Sequence, residues 1–249
     1  MTDYLIFRLY APLASWGEAA VGETRPTATY PGKGAILGLL GAALGIRRDD
    51  DAGQMELRDS IAMGVKQYTS GMLMRDYHTV QMPAAQSKVS YQTRKEELSG
   101  PRDVLKTILS SRDYRCDGLW TVAVWLTPEA TLTLSELEQA LKIPRYPLYL
   151  GRKSCPPSAP LAPQLRQCST LKEALDVAFP KLAVNCQEDR KALRFPDEAL
   201  YAWEGEASGL DGSQVAEYND VWDLPLNRRR WQFGPRLEFR RSVAAEEAR

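Results

Sequence analysis

The chain has 249 residues, 44% of them hydrophobic, enough for a real core in one large domain or in a domain with an appendage. Its 32 Lys and Arg balance 32 Asp and Glu, so no global field draws it to nucleic acid and any such binding has to come from local patches or from a protein partner. Four cysteines without a C-x-x-C pair, and a single histidine, argue against a zinc site, and no other metal or cofactor motif is present. The longest apolar run, 35–46, is too short to span a bilayer, and the start of the chain shows no basic, apolar leader. The expectation is a cytoplasmic protein with reduced thiols and no membrane partner.

Residues 4–10, Tyr-Leu-Ile-Phe-Arg-Leu-Tyr, predict a first strand. After a loop to Pro31, the run Pro31-Gly32-Lys33-Gly34 introduces a helix to about Ile46. In it Gly34, Gly38, Gly41 and Gly45 recur every three or four positions, a small-residue stripe that lets a second element lie close to the helix backbone. Gly32-Lys33-Gly34 lacks both Walker A and G-x-G-x-x-G spacing, which excludes a nucleotide-hydrolysing loop and leaves room for a lone RNA phosphate near Lys33. Arg47-Arg48-Asp49-Asp50-Asp51 reads as an exposed, solvated turn.

Strands are predicted at 60–68 and 72–82, followed by a polar stretch, 83–118, read as a projecting hairpin. Across 65–115 nine basic residues meet five acidic ones, and Arg112, Tyr114 and Arg115 mix cations with an aromatic. Residues 119–126, Leu-Trp-Thr-Val-Ala-Val-Trp-Leu, form the strongest strand signal and should be central in a sheet. Ser135 with Glu138 three positions on suggests a capping box for a helix to about Lys142, stopped by Pro144.

The segment 145–157, Arg-Tyr-Pro-Leu-Tyr-Leu-Gly-Arg-Lys-Ser-Cys-Pro-Pro, is too broken by proline for a helix or a central strand and predicts a stiff, shaped loop. Gly151 allows close backbone approach, and Arg145, Arg152, Lys153 and Ser154 offer donors for phosphate oxygens. Tyr146 and Tyr149 offer faces for an unpaired base. Composition by itself leans to the plainer reading, a crossover with half-buried tyrosines and solvated cations. Beyond it, 170–179 reads as a short helix. Residues 188–223 then carry ten acidic and three basic residues, and 224–241 six arginines against Glu238, which suggests an acidic, partly flexible excursion and a basic final segment with a strand around 236–241.

The order strand, helix, strand, strand, strand, helix predicts an α+β sandwich of the ferredoxin-like or RNA-recognition type with one hairpin drawn out as a thumb. In order along 4–165, Ser15-Trp16-Gly17, Thr24-Arg25-Pro26-Thr27, Gly38-Leu-Leu-Gly-Ala, Arg75-Asp76-Tyr77-His78-Thr79-Val80, Val122-Ala-Val-Trp-Leu-Thr-Pro128 and Tyr149-Leu-Gly-Arg-Lys-Ser-Cys-Pro156 together resemble the CasD family of type I-E CRISPR Cascade subunits, within the RAMP superfamily. The resemblance implies a RAMP domain over 1–178 with a thumb at about 70–117, and 179–249 as a C-terminal extension. It implies a bacterial, non-catalytic antiviral-defence subunit that binds the 5′ handle of the guide crRNA, caps the row of backbone subunits and docks the large subunit, meeting target DNA only indirectly. Carried over residue by residue, Tyr149, Gly151, Arg152, Lys153 and Ser154 would hold handle nucleotides. Arg25 and Arg112 would be nearby contacts, and Tyr77 and His78 would lie at the thumb. Lys33 and Arg145 complete the candidates on their own chemistry. The rival reading is a metal-independent endoribonuclease of the related type I-C branch, whose Tyr, Lys and His set includes a general acid or base; here only His78 is available and no Lys-His pair accompanies it.

Overall fold

The computed structural model describes residues 1–83, 90–101, 103, 105–182 and 189–244. Its first strand, β1 (Thr2–Tyr10), is followed by two short ones, β2 (Leu13–Ala14) and β3 (Thr24–Arg25), and then by helix α1 (Lys33–Leu44). Gly45 closes α1 in the left-handed conformation, φ 81°, with its own N–H and that of Ile46 returning to the carbonyls of Ala42 and Gly41. The expected exposed turn is found at 47–50, and it leads into a helix that was not expected, α2 (Asp51–Ser60). The Asp50 side chain accepts from the Gly53 N–H at 3.0 Å, so the acidic run caps a helix; Leu57 is its one buried apolar residue, too sparse a pattern to announce it.

Strand β4 (Ile61–Thr69) and strand β5 (Met72–Pro83) lead through a turn of helix, α3 (Arg94–Glu97), to β6 (Leu105–Cys116), β7 (Leu119–Leu126) and α4 (Leu134–Lys142). The cap of α4 sits two residues earlier than the sequence suggested. Thr133, not Ser135, accepts from the Glu136 N–H at 3.2 Å while Glu136 accepts from the Thr133 N–H at 2.8 Å. The remaining elements are β8 (Gln164–Cys168), α5 (Leu171–Leu175), α6 (Asp189–Ala192), β9 (Glu198–Trp203), β10 (Glu217–Asn227) and β11 (Gln232–Ala244).

Seven strands form one antiparallel sheet in the order β10-β11-β9-β4-β7-β1-β8. On one face Leu5, Phe7 and Leu9 of β1, Met63 and Val65 of β4 and Trp120, Val122 and Val124 of β7 pack against Ile36, Leu37 and Leu40 of α1 and Leu137 and Leu141 of α4. On the other, Tyr4, Ile6, Ala123, Tyr201 and Trp203 meet Leu171, Ala174 and Leu175 of α5. Being covered on both sides makes β1 and β7 continuous apolar runs, which is why they are the clearest strands in the sequence. Lys66 of β4 is fully buried among this second set, its ammonium 2.7 Å from Asp176, which also accepts from the Tyr201 hydroxyl at 2.6 Å. Burial pulls the Lys66 pKa down and Asp176 opposes that shift.

The chain after Pro180, expected to be irregular and acidic up to a final strand around 236–241, supplies that strand within β11 and also β9 and β10 to the same sheet. Residue 188 of the acidic stretch, with 183–187 before it, and 84–89, 102 and 104 of the expected hairpin lie outside the described residues. The two charge blocks meet across and beside the β10–β11 hairpin. Asp223 of β10 takes a bidentate bond from Arg236 of β11 at 2.6 and 2.9 Å, Arg236 also reaches Glu238 at 2.6 Å, and Asp211 pairs with Arg241. Asp223 further accepts from the Lys33 N–H at 2.6 Å, capping α1 from the far end of the chain. The close approach predicted from the glycine stripe is found here. An added Cβ on Gly34 would lie 2.8 Å from the Asp223 carbonyl oxygen.

A second sheet holds β2-β6-β3, with β2 and β3 on one edge of β6 and β5 paired along the whole of its other edge. The β5–β6 register runs unbroken from Met72↔Cys116 to Pro83↔Leu105, so β5 belongs to the hairpin and not to the main sheet.

Candidate nucleic-acid interface

Loop 145–157 is fastened at its start and in its middle. At its start the N–H groups of Arg145 and Tyr146 donate to the carbonyls of Ala43 and Ala42 at 2.9 and 3.1 Å, supplying partners to the C-terminal end of α1. In its middle Leu150 is fully buried, its N–H donating to the Cys155 carbonyl at 2.8 Å and its carbonyl accepting from the Ser15 N–H at 3.0 Å. Gly151 has φ 84°, and a Cβ there would lie 1.7 Å from the Ser15 carbonyl oxygen. The close approach that Gly151 permits is therefore to the protein's own backbone. Ser15 in turn donates from Oγ to the Asp113 carbonyl at 3.0 Å, which ties the loop to β6.

Past Gly151 the side chains converge. The Arg152 guanidinium lies 4.8 Å from the centre of the Tyr114 ring and donates to the Arg25 carbonyl at 3.3 Å. Its other terminal nitrogen is buried with no hydrogen-bond partner among the described residues. β3 lies parallel to β6 with Arg25 beside Arg112, and Lys153 and Ser154 are exposed. The carboxylate in this cluster, Asp113, is clasped by Arg75 at 2.7 and 2.9 Å; that bond first, against the opposing effect of burial, holds its carboxyl below the usual range. Arg115 donates to the Ala28 carbonyl at 3.2 Å. The positive surface thus gathers Arg25, Arg112, Arg152 and Lys153; Arg75 masks Asp113, while Asp76 stands directly opposite Arg112 in the hairpin register. Arg75 and Asp113 had no signal as a pair, since only the hairpin register brings residues 38 apart together.

The other candidates are distributed. Tyr77 and His78 lie on β5 opposite Ser111 and Ser110, and strand alternation puts them on opposite faces of the hairpin, His78 with Arg112 and Tyr114, Tyr77 with Arg75 and Asp113. Tyr77 is 64% exposed. Arg145 and half-buried Tyr149 belong to the end of the loop that faces α1. Lys33 stands apart from all of these. It is 7% exposed, its ammonium 2.8 Å from Glu204 and 2.9 Å from the Ile61 carbonyl. The adjoining helix N-terminus, where a phosphate was expected, is occupied by the Asp223 carboxylate. Among the described residues no cluster has the composition of a metal site, and no helix is long and apolar enough to cross a membrane.

The sequence matches the CRISPR-associated protein family Cas_Cas5 over residues 4–237. It is 40% identical over 183 residues to the CRISPR system Cascade subunit CasD of Escherichia coli strain K12, covering 70% of this chain and 76% of that one. A chain of a CRISPR RNA-guided surveillance complex superposes with a TM-score of 0.65 at 24% identity, over 97% of this chain and 89% of that one. A structure described as a Cas protein gives 0.54 at 29% identity, over 97% and 94%.

Proposed function

Starting from the fact that the chain belongs to the CRISPR-associated Cas5 family, we propose that it is a Cascade subunit that holds the 5′ handle of the guide crRNA without cutting it. The observation that carries this reading is the Arg152 cluster. A guanidinium fixed on Tyr114 with one nitrogen left unpartnered among the described residues, flanked by Arg25, Arg112 and the exposed Lys153 and Ser154, is suited to single-stranded phosphates and unlike a surface of merely solvated cations. Arg152 is positioned before RNA arrives, so little side-chain freedom is lost on binding. The relation to E. coli CasD supports the further assignments, capping of the backbone row and docking of the large subunit. So do the exposed apolar side chains of the hairpin, Met72, Leu73 and Ile108 among them, which fit burial by neighbouring subunits. Within the sheet, β4-β7-β1-β8 with α1 and α4 on one face has the strand order of a ferredoxin-like unit, and that supports reading the core as a RAMP domain.

The test is Arg152→Ala with Lys153→Ala in a guide-RNA binding titration over a salt series. The variant should bind more weakly, and the salt slope should fall in magnitude by about 0.7 for each phosphate no longer neutralised. An unchanged slope sinks the reading. Incubation with a repeat-containing RNA, with and without divalent metal, should leave that RNA whole; cleavage abolished by His78→Ala would establish the endoribonuclease alternative instead.

A further inference from the structure

The turn between β10 and β11, residues 228–231, is Arg-Arg-Arg-Trp, and the fold lays Arg228 along α1 and Trp231 against Arg48, just past the end of that helix. Arg48 lies over the Trp231 ring at 4.8 Å, and Trp231 is 57% exposed. Arg228 runs along the glycine stripe, donating to the Gly34 carbonyl at 2.6 Å, while an added Cβ on Gly38 would sit 3.7 Å from it. Its Nε is buried with no hydrogen-bond partner, and no carboxylate is paired with it, among the described residues. Arg229 and Arg230 are exposed, and the stem of exposed Arg145 covers Gly45 at the same end of the helix.

Opposing charge is present but largely engaged. Asp50 caps α2, and Asp49 holds Arg47 in an exposed pair at 3.0 Å and is also under the influence of Arg229; exposed pairs of this type add little stability. Asp51 opens α2. A helix C-terminus welcomes cations, and that accounts for Arg47 and Arg48. It does not account for a desolvated Arg228 without a counter-ion, nor for two more arginines and an exposed indole on a separate hairpin.

We propose that this turn, with Arg48 and Arg145, is a second polynucleotide-binding surface, taking the phosphates of a single strand on Arg229 and Arg230 and an unpaired base against Trp231. Cations interleaved with an aromatic suit a single strand, whose phosphates pair with the guanidinium groups while a base stacks on the ring. This surface lies beyond the Arg152 cluster: Arg145 opens the same loop, but none of Arg25, Arg112, Arg152, Lys153 and Ser154 belongs to the turn, so each set can be varied without the other. Guide RNA and a displaced DNA strand present the same phosphates and base faces to it.

The experiment measures fluorescein-labelled oligouridine and oligothymidine binding to the full-length chain by anisotropy over a salt series. Three variants are compared: Arg229→Gln with Arg230→Gln, Trp231→Asn, and Arg152→Ala with Lys153→Ala. Asn tolerates the φ of 52° found at Trp231, and all these side chains are exposed or partly exposed, so melting curves should match the parent. The double glutamine variant should bind more weakly, with a salt slope smaller by about 0.7 for each phosphate no longer neutralised. Trp231→Asn should weaken binding roughly fivefold or more at an unchanged slope, as loss of stacking without loss of charge requires. Loss in the oligouridine arm alone assigns the surface to RNA, and loss in the oligothymidine arm alone to DNA; loss in both assigns it to the chemistry they share. If the glutamine variant binds like the parent while the Arg152 variant does not, the second surface is wrong and the handle site stands. The reverse pattern removes the handle site and keeps this one. Displacement of oligouridine by polyglutamate as effectively as by unlabelled oligouridine would make the turn a general acidic-protein surface and overturn the proposal.

Discussion

Asp113 shows how a single carboxylate can belong to a positive surface. Its bidentate clasp by Arg75 holds its pKa below the unfolded-chain value of about 3.9, so the pair adds stability above that pH and loses it as pH falls through the depressed folded value. On acidification below about pH 4 the melting temperature of the parent should therefore fall more steeply than that of Asp113→Asn, whose amide does not titrate. Parallel curves from thermal melts across a pH series would show that the clasp has no such role. At this scale the sequence disclosed residue types better than their use. Loop 145–157 stood out through its prolines and cations, and Arg112, Tyr114 and Arg115 through their mixture. Gly151 was rightly read as a point of close approach, yet the group approaching is Ser15, near the other end of the domain in sequence and visible only once folded. Lys33 looked like a phosphate ligand because nothing local reveals that Glu204 and Asp223 will reach it from another strand and a hairpin.

Helix α1 is the element on which the two ends of the chain meet, and its glycines are not equivalent. A methyl group on Gly34 would press on the Asp223 backbone at 2.8 Å, whereas on Gly38 its nearest neighbour, an Arg228 nitrogen, is 3.7 Å away at ordinary van der Waals distance. Gly38→Ala should then stabilise the protein by about 0.5–1 kcal/mol through helix propensity, and Gly34→Ala should destabilise it as β10 is displaced. Denaturant melts of the two variants check this, and shifts of the same sign would refute it. The elements that sequence disclosed were those with an apolar rhythm: β1, β7 and α1. The ones it hid fail that rhythm for identifiable reasons. Helix α2 buries Leu57 and little else, and β10 meets α1 through Asp223, itself held by Arg236 of β11, so that contact is ionic where an alternating strand would be apolar; of this hairpin only the stretch 236–241 read as a strand. Charge segregation into an acidic and a basic block was the trace of that hairpin, legible in composition but not as strand pairing.

For the whole molecule, the consequence is that residues after 178 complete the sheet. Strand β9 lies directly beside β4, and Tyr201 and Trp203 are nearly or fully buried against the shared core. A chain ending at residue 178 should accordingly lose cooperative melting and bind a hydrophobic dye, since it would bare the β4 edge and the apolar surface beneath β9. A soluble fragment with a sharp thermal transition would contradict this. The projecting hairpin is joined to that sheet in a particular way. β4 runs on into β5 and β6 into β7, so its two arms prolong neighbouring strands, with Thr69↔Leu119 as the last pair of the sheet and Met72↔Cys116 as the first of the arm. At the junction Gly71, φ 68°, passes so near the Cys116 carbonyl oxygen that an added Cβ would lie 2.0 Å from it. The arm is therefore graduated. Two residues added to each strand would carry its tip outward by about 7 Å with every side chain still on its own face, whereas one residue added to each would give half that reach and change the faces of all side chains beyond the insertion. Its length can be reset only in whole steps.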